Sequence, residues 1–271
     1  MTVLWNSLLY YPLLNVLIGL YKFTGNFGWS IIILTIGLRL AMTPLVLPSL
    51  RISKKIQDLA PDIAKLKEQY KDDKKALMTA QAELYKKHGA NPASGCLPQI
   101  VQILVLIALF TAFNSVLRPN GDGLVKHLNP ILYPFNQLPQ DFQFSTRFYS
   151  LDLVKPDVFK VPSIPFPLPG FFLLLTAAIQ LLSSKMMSPV VTAEQKVAQK
   201  TPGESDDAMV AAQQQMLYMF PLMTVVFGFQ FPSGLVLYWL VFSIVSMAQQ
   251  YYATGWGGLA PWLKQLNLLK S

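Results

Sequence analysis

Charge is scarce in this sequence, and acidic charge is missing from its apolar parts altogether. Only 13% of the 271 residues are Asp, Glu, Lys or Arg, about half the share of an ordinary soluble domain. With 52% hydrophobic residues and a mean hydropathy of +0.38, this deficit excludes a typical soluble domain and predicts an integral membrane protein. Cysteine is limited to Cys96, so no intrachain disulfide is available. His88 and His127 are the only histidines; a structural zinc site is not expected, nor any cofactor. Residues 1–22 lack a basic n-region and a small-residue cleavage site, so they do not read as a signal peptide. No transit peptide is read either, which makes the cytoplasmic membrane of a bacterium the expected location.

Long apolar runs are what the chain has instead. A helix needs about 20 apolar residues to cross hydrocarbon. Five stretches qualify: Trp29–Leu50, Leu97–Leu117, Gly170–Ser188, Met216–Phe231 (extended back towards Ala211) and Gly234–Ala253. A sixth, Leu8–Tyr21, is shorter and contains Pro12 and Asn15. With Trp5, Tyr10, Tyr11 and Tyr21 around it, it is expected to lie in the interface rather than to span. The fold class expected is therefore an all-α membrane protein of five transmembrane helices.

Basic residues set the expected orientation. Residues 51–96 carry ten lysines and arginines, residues 118–169 carry five, and residues 1–28 only Lys22. The positive-inside tendency places 51–96 in the cytoplasm, the N-terminus outside and the C-terminus inside. The chain then divides into an outer N-terminal interfacial helix (1–28), spans at 29–50, 97–117, 170–188, 212–231 and 234–253, a cytoplasmic segment (51–96), an outer loop (118–169), a cytoplasmic connector (189–211) and a cytoplasmic tail (254–271).

Within 51–96, apolar residues recur at Ile52, Ile56, Leu59, Ile63 and Leu66, then at Leu77, Ala80 and Leu84. This three-and-four spacing predicts two amphipathic helices, Arg51–Tyr70 and Asp73–His88, paired as a helical hairpin. Gly89 supplies the stop. The loop 118–169, rich in Pro, Asn, Phe and Tyr, predicts little helix, and Ala193–Asp207 reads as a polar connector.

One residue breaks the apolar pattern. Arg39 sits in the middle of Trp29–Leu50, and all fourteen Asp and Glu residues fall outside the five stretches. An arginine at the centre of a membrane helix costs roughly 2.5–3.5 kcal/mol on insertion scales and cannot shed its proton. It can snorkel to an interface, bond to backbone carbonyls or face a hydrated cavity. Polar residues elsewhere favour the cavity. Thr35 shares a helix face with Arg39; Gln99 and Gln102 are three apart; Thr176, Gln180, Ser183 and Ser184 form one stripe; Trp239, Ser243, Ser246 and Gln250 form another. Each stripe alone is accounted for by interhelical hydrogen bonds; jointly, around an arginine, they point to a hydrophilic compartment.

Three segments resemble a known family. "ILTIGLRLAMTPL", "LYKKHGANPASGCLPQIVQ" and "YMFPLMTVVFGFQFPSGLVLYWLVFSIVSMAQQ" are, in this order, similar to segments of the YidC-type membrane protein insertases, which include the mitochondrial and chloroplast insertases. The resemblance implies a groove formed by five spans, open to cytoplasm and lipid and closed outside. It implies that Arg39 is the groove arginine, with Gln180 and Trp239 also lining the groove. It implies nascent membrane proteins as clients, the bilayer and the Sec translocon as further partners, and the cytoplasmic hairpin as the place where clients are received. No nucleic-acid specificity is implied. Ribosome contact belongs to the family, but the tail after Ala253 holds only Lys264 and Lys270. Ser243 stands where the family has asparagine. The expected substrate groove comprises Thr35, Arg39, Gln99, Gln102, Gln180, Ser183, Trp239 and Ser243. The loop lies outside the matching segments, so replacing Asn120–Val161 by a short linker is expected to leave function mostly intact.

The reading from these observations is a membrane protein insertase and chaperone, not an enzyme. The alternative is a transporter or channel for a small anion using Arg39, against which stands the lack of inverted hydrophobic repeats. An intramembrane hydrolase is unsupported, because no span holds an Asp pair or a histidine.

Overall fold

The computed structural model describes residues 2–70, 73–91, 96–116, 124–163, 165–186, 218, 219 and 221–266. The chain is an all-α membrane protein. Among the described residues, three helical stretches are long and apolar enough to cross a membrane, Val3–Thr24, Phe27–Ile56 and Ser233–Thr254, and two shorter apolar ones are Ile100–Val116 and Phe171–Met186. Residues 221–228 are helical. The connector 189–211 and residues 212–217 lie outside the described residues.

The N-terminal helix is longer than the sequence pattern suggests. It runs through α1 (Thr2–Trp5), a π-helical turn (Asn6–Tyr10) and α2 (Tyr11–Thr24). Pro12 has no N–H for the carbonyl four residues earlier, which would ordinarily break the ladder. The wider turn just before it absorbs the mismatch and the helix continues. Length therefore no longer separates an interfacial placement from a span. The helix stops at Gly25, whose positive φ of 66° lets its N–H close back on the Tyr21 carbonyl.

Next come α3 (Phe27–Asp58), α4 (Ala60–Gln69), α5 (Lys74–Lys87), α6 (Cys96–Val116) and α7 (Leu124–Leu128). Two antiparallel hairpins of two-residue strands follow, β1 (Arg147–Phe148) with β2 (Leu151–Asp152) and β3 (Val158–Phe159) with β4 (Leu168–Pro169). The chain then forms α8 (Phe171–Met186), α9 (Ser233–Thr254) and α10 (Ala260–Gln265). Helix α3 does not end at Leu50; it runs on into the hairpin and breaks at Leu59. The cause is Pro61, which lacks the donor for the Gln57 carbonyl and suits the first turn of α4 instead. Thus the expected single arm Arg51–Tyr70 is two helices. Pro98 falls in the first turn of α6, where its missing N–H does no harm.

Two compact units can be distinguished. The first comprises residues 1–41, 100–177 and 223–245; the second comprises 42–99, 178–222 and 246–271. In the first, Leu14, Leu17, Ile18, Phe27, Ile31, Leu109, Phe113, Leu128, Leu153, Leu173 and Tyr238 are fully buried. In the second, Leu59, Ile63 and Ala90 form the hairpin's core, joined by Ile56, Leu84 and Tyr85. Asp73 caps α5 by accepting a bond from the Ala76 N–H at 2.9 Å. Gly89 takes a positive φ of 59° past its end.

The loop before α8 has little helix, as its composition predicts, but it is not a spacer. Asn15 on α2 donates to the Ile131 carbonyl (3.2 Å) and accepts from the Tyr133 N–H (2.7 Å), while Asn136 donates to the Asn15 carbonyl (2.7 Å). Lys22 donates to the carbonyls of Phe135 and Gln137, and Tyr21 Oη accepts from the Ser145 N–H. Phe142 and Phe144 pack edge-on against Tyr21, and Phe148 fills the space that a side chain at Gly28 would occupy. The loop also holds the start of two apolar helices. Asp157 accepts from the Leu173 N–H of α8 at 2.7 Å. The N–H groups of Ser233 and Gly234, opening α9, donate to the carbonyls of Lys155 and Leu153, and Ser233 Oγ donates to the Asp152 carbonyl. These bonds give residues 120–161 a structural part that their composition does not announce.

Candidate functional site

Helix α3 is two-faced along its apolar stretch. Trp29, Ile33, Ile36 and Leu40 are exposed, whereas Ile31, Thr35 and Arg39, each four residues apart, are buried. Spacing alone predicts a shared face for the latter three, and the structure packs it inwards. Arg39 retains only 8% exposure. Thr35 donates its hydroxyl to the Ile31 carbonyl at 2.6 Å, which satisfies it within its own helix.

Arg39 meets an aromatic face. Its guanidinium carbon lies 4.3 Å above the centre of the Phe242 ring, in reach of the negative potential over the ring. Such a contact is worth about 0.5–1 kcal/mol at an exposed site and about 2 kcal/mol or more when water is excluded. One turn earlier on α9, the fully buried Tyr238 accepts a 2.6 Å bond from Gln102 Nε2 on α6. A buried phenol needs a partner, and Gln102 supplies it. Ser243 is buried next to Phe242, and Trp239 meets Phe231 edge-on at 5.8 Å. In the first unit the structure thus brings Arg39 to Phe242 and Gln102 to Tyr238.

The remaining expected residues belong to the second unit. Gln180 is 5% exposed and its Oε1 accepts no hydrogen bond among the described residues; the Ser183 hydroxyl, one turn on, also has none. A buried carbonyl or hydroxyl left in this way is costly in an apolar medium, which marks this stripe as one suited to polar company. In the same unit Gln249 donates to Thr43 Oγ1 at 2.8 Å. Gln99 lies in α6, and its side chain is outside the described residues. Among the described residues, no three His, Cys, Asp or Glu side chains cluster as metal ligands would.

Sequence reasoning missed Phe242 and Tyr238. Both sit on an apolar helix, where an aromatic reads equally as core or lipid contact. The available signal was chemical: Tyr238 carries a hydroxyl that needs a partner, and Arg39 favours a ring or an acceptor.

The model of the family described as 60Kd inner membrane protein matches residues 19–256, from the last turns of α2 to just past α9. The chain belongs to this family. Among curated relatives, the Membrane protein insertase YidC of Fusobacterium nucleatum subsp. nucleatum is 33% identical over 231 residues, covering 85% of this chain and 87% of that protein. Those of Geobacter sulfurreducens and Pelobacter propionicus are 32% and 33% identical over 248 and 253 residues, each 92% of this chain. The chain spans most of the Fusobacterium relative but only 37% and 39% of the other two. The 60Kd inner membrane protein match encloses Thr35, Arg39, Gln102, Tyr238 and Phe242 alike.

Proposed function

We propose that this protein inserts hydrophobic segments of nascent membrane proteins into the bilayer through a hydrophilic groove centred on Arg39, without hydrolysing a nucleotide and without acting as an enzyme. The observation that carries the reading is the placement of Arg39 on the packed face of a membrane helix, against Phe242, with Leu40 and Ile36 turned the other way. A charge held inwards on a rigid helix is a fixed attractor for an anionic client segment. The gain in attraction offsets part of that segment's dehydration, while the client's apolar segment moves into lipid by the hydrophobic effect. Thr35, Gln102, Trp239 and Ser243 line the groove beside Arg39, and Gln99, Gln180 and Ser183 contact the client. Five spans, an outer N-terminus, an interfacial N-terminal helix and a cytoplasmic C-terminus complete the arrangement. The excess of lysine and arginine in residues 51–96 supports that orientation. The Sec translocon and the ribosome are candidate partners.

Insertion of paired clients into proteoliposomes with equal amounts of folded variant tests the reading. One client carries an acidic translocated tail, the other a neutralised one. Arg39→Lys keeps the charge and retains most insertion. Arg39→Ala impairs the acidic client, Arg39→Glu impairs it further, and the neutral client depends much less on this position. Equal losses for both clients would defeat the attractor mechanism. Saturable anion flux without insertion would assign the protein to transport instead.

A further inference from the structure

Helix α9 ends at Thr254, yet the chain does not trail away. The Gly255 N–H returns to the Tyr251 carbonyl at 2.8 Å with φ of 70°. Gly257, at φ 47°, lies so close to the Met186 carbonyl at the end of α8 that a Cβ there would collide with it. Trp256 packs on Tyr251 at 4.6 Å, Leu259 is buried, and Lys185 Nζ stands 4.8 Å over the Trp262 ring. This folded-back tail is therefore seated on the ends of α8 and α9. Its outer side is apolar and aromatic: Tyr252 is 83% exposed, Trp262 52% and Leu266 64%.

Such side chains beside the end of a membrane helix fit one environment above others. Tyrosine and tryptophan collect at headgroup level, where the ring body is dry and its polar edge wet. Lysine lays its stem along apolar surface with its charge at the headgroups. The charge is one-sided, since no Asp or Glu follows Asp207, while Lys264 and Lys270 do. Basic residues next to a membrane helix are drawn to anionic lipid. We propose that the tail built around α10 is an interfacial anchor, lying on an anionic phospholipid surface through Tyr252, Trp262 and Leu266 with Lys185 and Lys264 at the headgroups. This goes beyond the insertase reading and stands or falls independently of it.

The test uses the complete chain in vesicles, with Trp5, Trp29, Trp239 and Trp256 replaced by Phe so that Trp262 alone fluoresces. Phosphatidylcholine brominated near the headgroup should cause a larger loss of fluorescence than the same lipid brominated deep in its chains. The loss should grow when phosphatidylglycerol is included. Fluorescence unchanged by either brominated lipid, or a greater loss with deep bromines, overturns the proposal. A loss that is the same in neutral and anionic vesicles overturns the anionic-surface assignment. A second measurement needs only two substitutions, Cys96→Ser and Leu266→Cys, followed by spin labelling. Relaxation of the label by oxygen more than by a water-soluble nickel complex supports the anchor. The reverse order, or dipolar broadening between labels on two copies, overturns it.

Discussion

Gln102 and Tyr238, 136 positions apart in sequence, are joined by a 2.6 Å hydrogen bond in which the amide donates and the phenol oxygen accepts. The bond links α6 to α9 one turn from the ring that faces Arg39. Because the phenol uses its oxygen here, its own proton stays available to a further acceptor.

Tyr238→Phe removes the acceptor and leaves the Gln102 amide without it. The expected cost is about 1–3 kcal/mol, the desolvation penalty of an unsatisfied buried group. Pairing it with Gln102→Leu should recover part of the loss, because two matched apolar groups replace one stranded polar one. Thermal unfolding in detergent measures both; a Tyr238→Phe variant as stable as the parent would show that the bond contributes nothing.

Phe242→Leu removes the ring beneath Arg39 while keeping apolar bulk, and about 0.5–2 kcal/mol of stability should go with it. Phe242→Tyr keeps a π face and should behave like the parent. If Leu and Tyr at 242 give the same melting temperature, the ring is only filling space.

Asp157 holds the first turn of α8. Asp157→Ala leaves the Leu173 N–H without its carboxylate and should cost about 0.5–2 kcal/mol, as for other helix caps, with Asp157→Asn losing less. Gly170→Ala should be worse than either, since its Cβ would collide with the Asp157 carboxylate. The order of the three melting temperatures is the readout.

The loop before α8 carries an acid-sensitive contact. Burial pushes the Asp152 carboxyl up. The Lys155 hydrogen bond and charge, the Val154 N–H and the Thr146 hydroxyl outweigh this and leave it below its ordinary value. An aspartate whose folded value lies below the unfolded value of about 3.9 stabilises the fold above that pH. The stabilisation is lost as pH falls through the lowered value. Asp152→Asn should therefore be slightly less stable than the parent at pH 6, with the gap closing towards pH 3. A gap that widens on acidification contradicts the assignment. The carboxylate is partly exposed, so the effect is small.

Much of this architecture is legible in the chain because it is written in local periods. The shared face of Thr35 and Arg39 on α3 follows from four-residue spacing. The packing of Leu59, Ile63 and Leu84 within the hairpin follows from its apolar repeat, and the stop at Gly89 from conformational freedom at positive φ. What escaped was written in no local pattern. Pro12 reads as a breaker, and only the π turn before it shows that the helix survives. Phe242 and Tyr238 look like any aromatic in an apolar run until a cation and an amide are found opposite them. The loop's composition announces irregular backbone correctly. Its hold on Asn15, Tyr21, Ser233 and Gly234 is a set of pairings across about 80 to 125 positions, which composition does not encode.

That reach has a consequence for how the protein itself is made. Asp152 and Ser233, whose carbonyl and hydroxyl meet at 2.8 Å, are 81 residues apart. At ~5–20 residues per second, the ribosome delivers Ser233 roughly 4–16 s after Asp152. For those seconds the carbonyls of Asp152, Leu153 and Lys155 wait for the N–H and hydroxyl groups that will meet them. The Asn15 pairing, complete once Asn136 has emerged, can already be in place. The loop is thus expected to close in two stages, first around the N-terminal helix and then, last of all, around the head of α9. Chains arrested before residue 233 should resist proteolysis near Tyr21 and remain cleavable near Lys155.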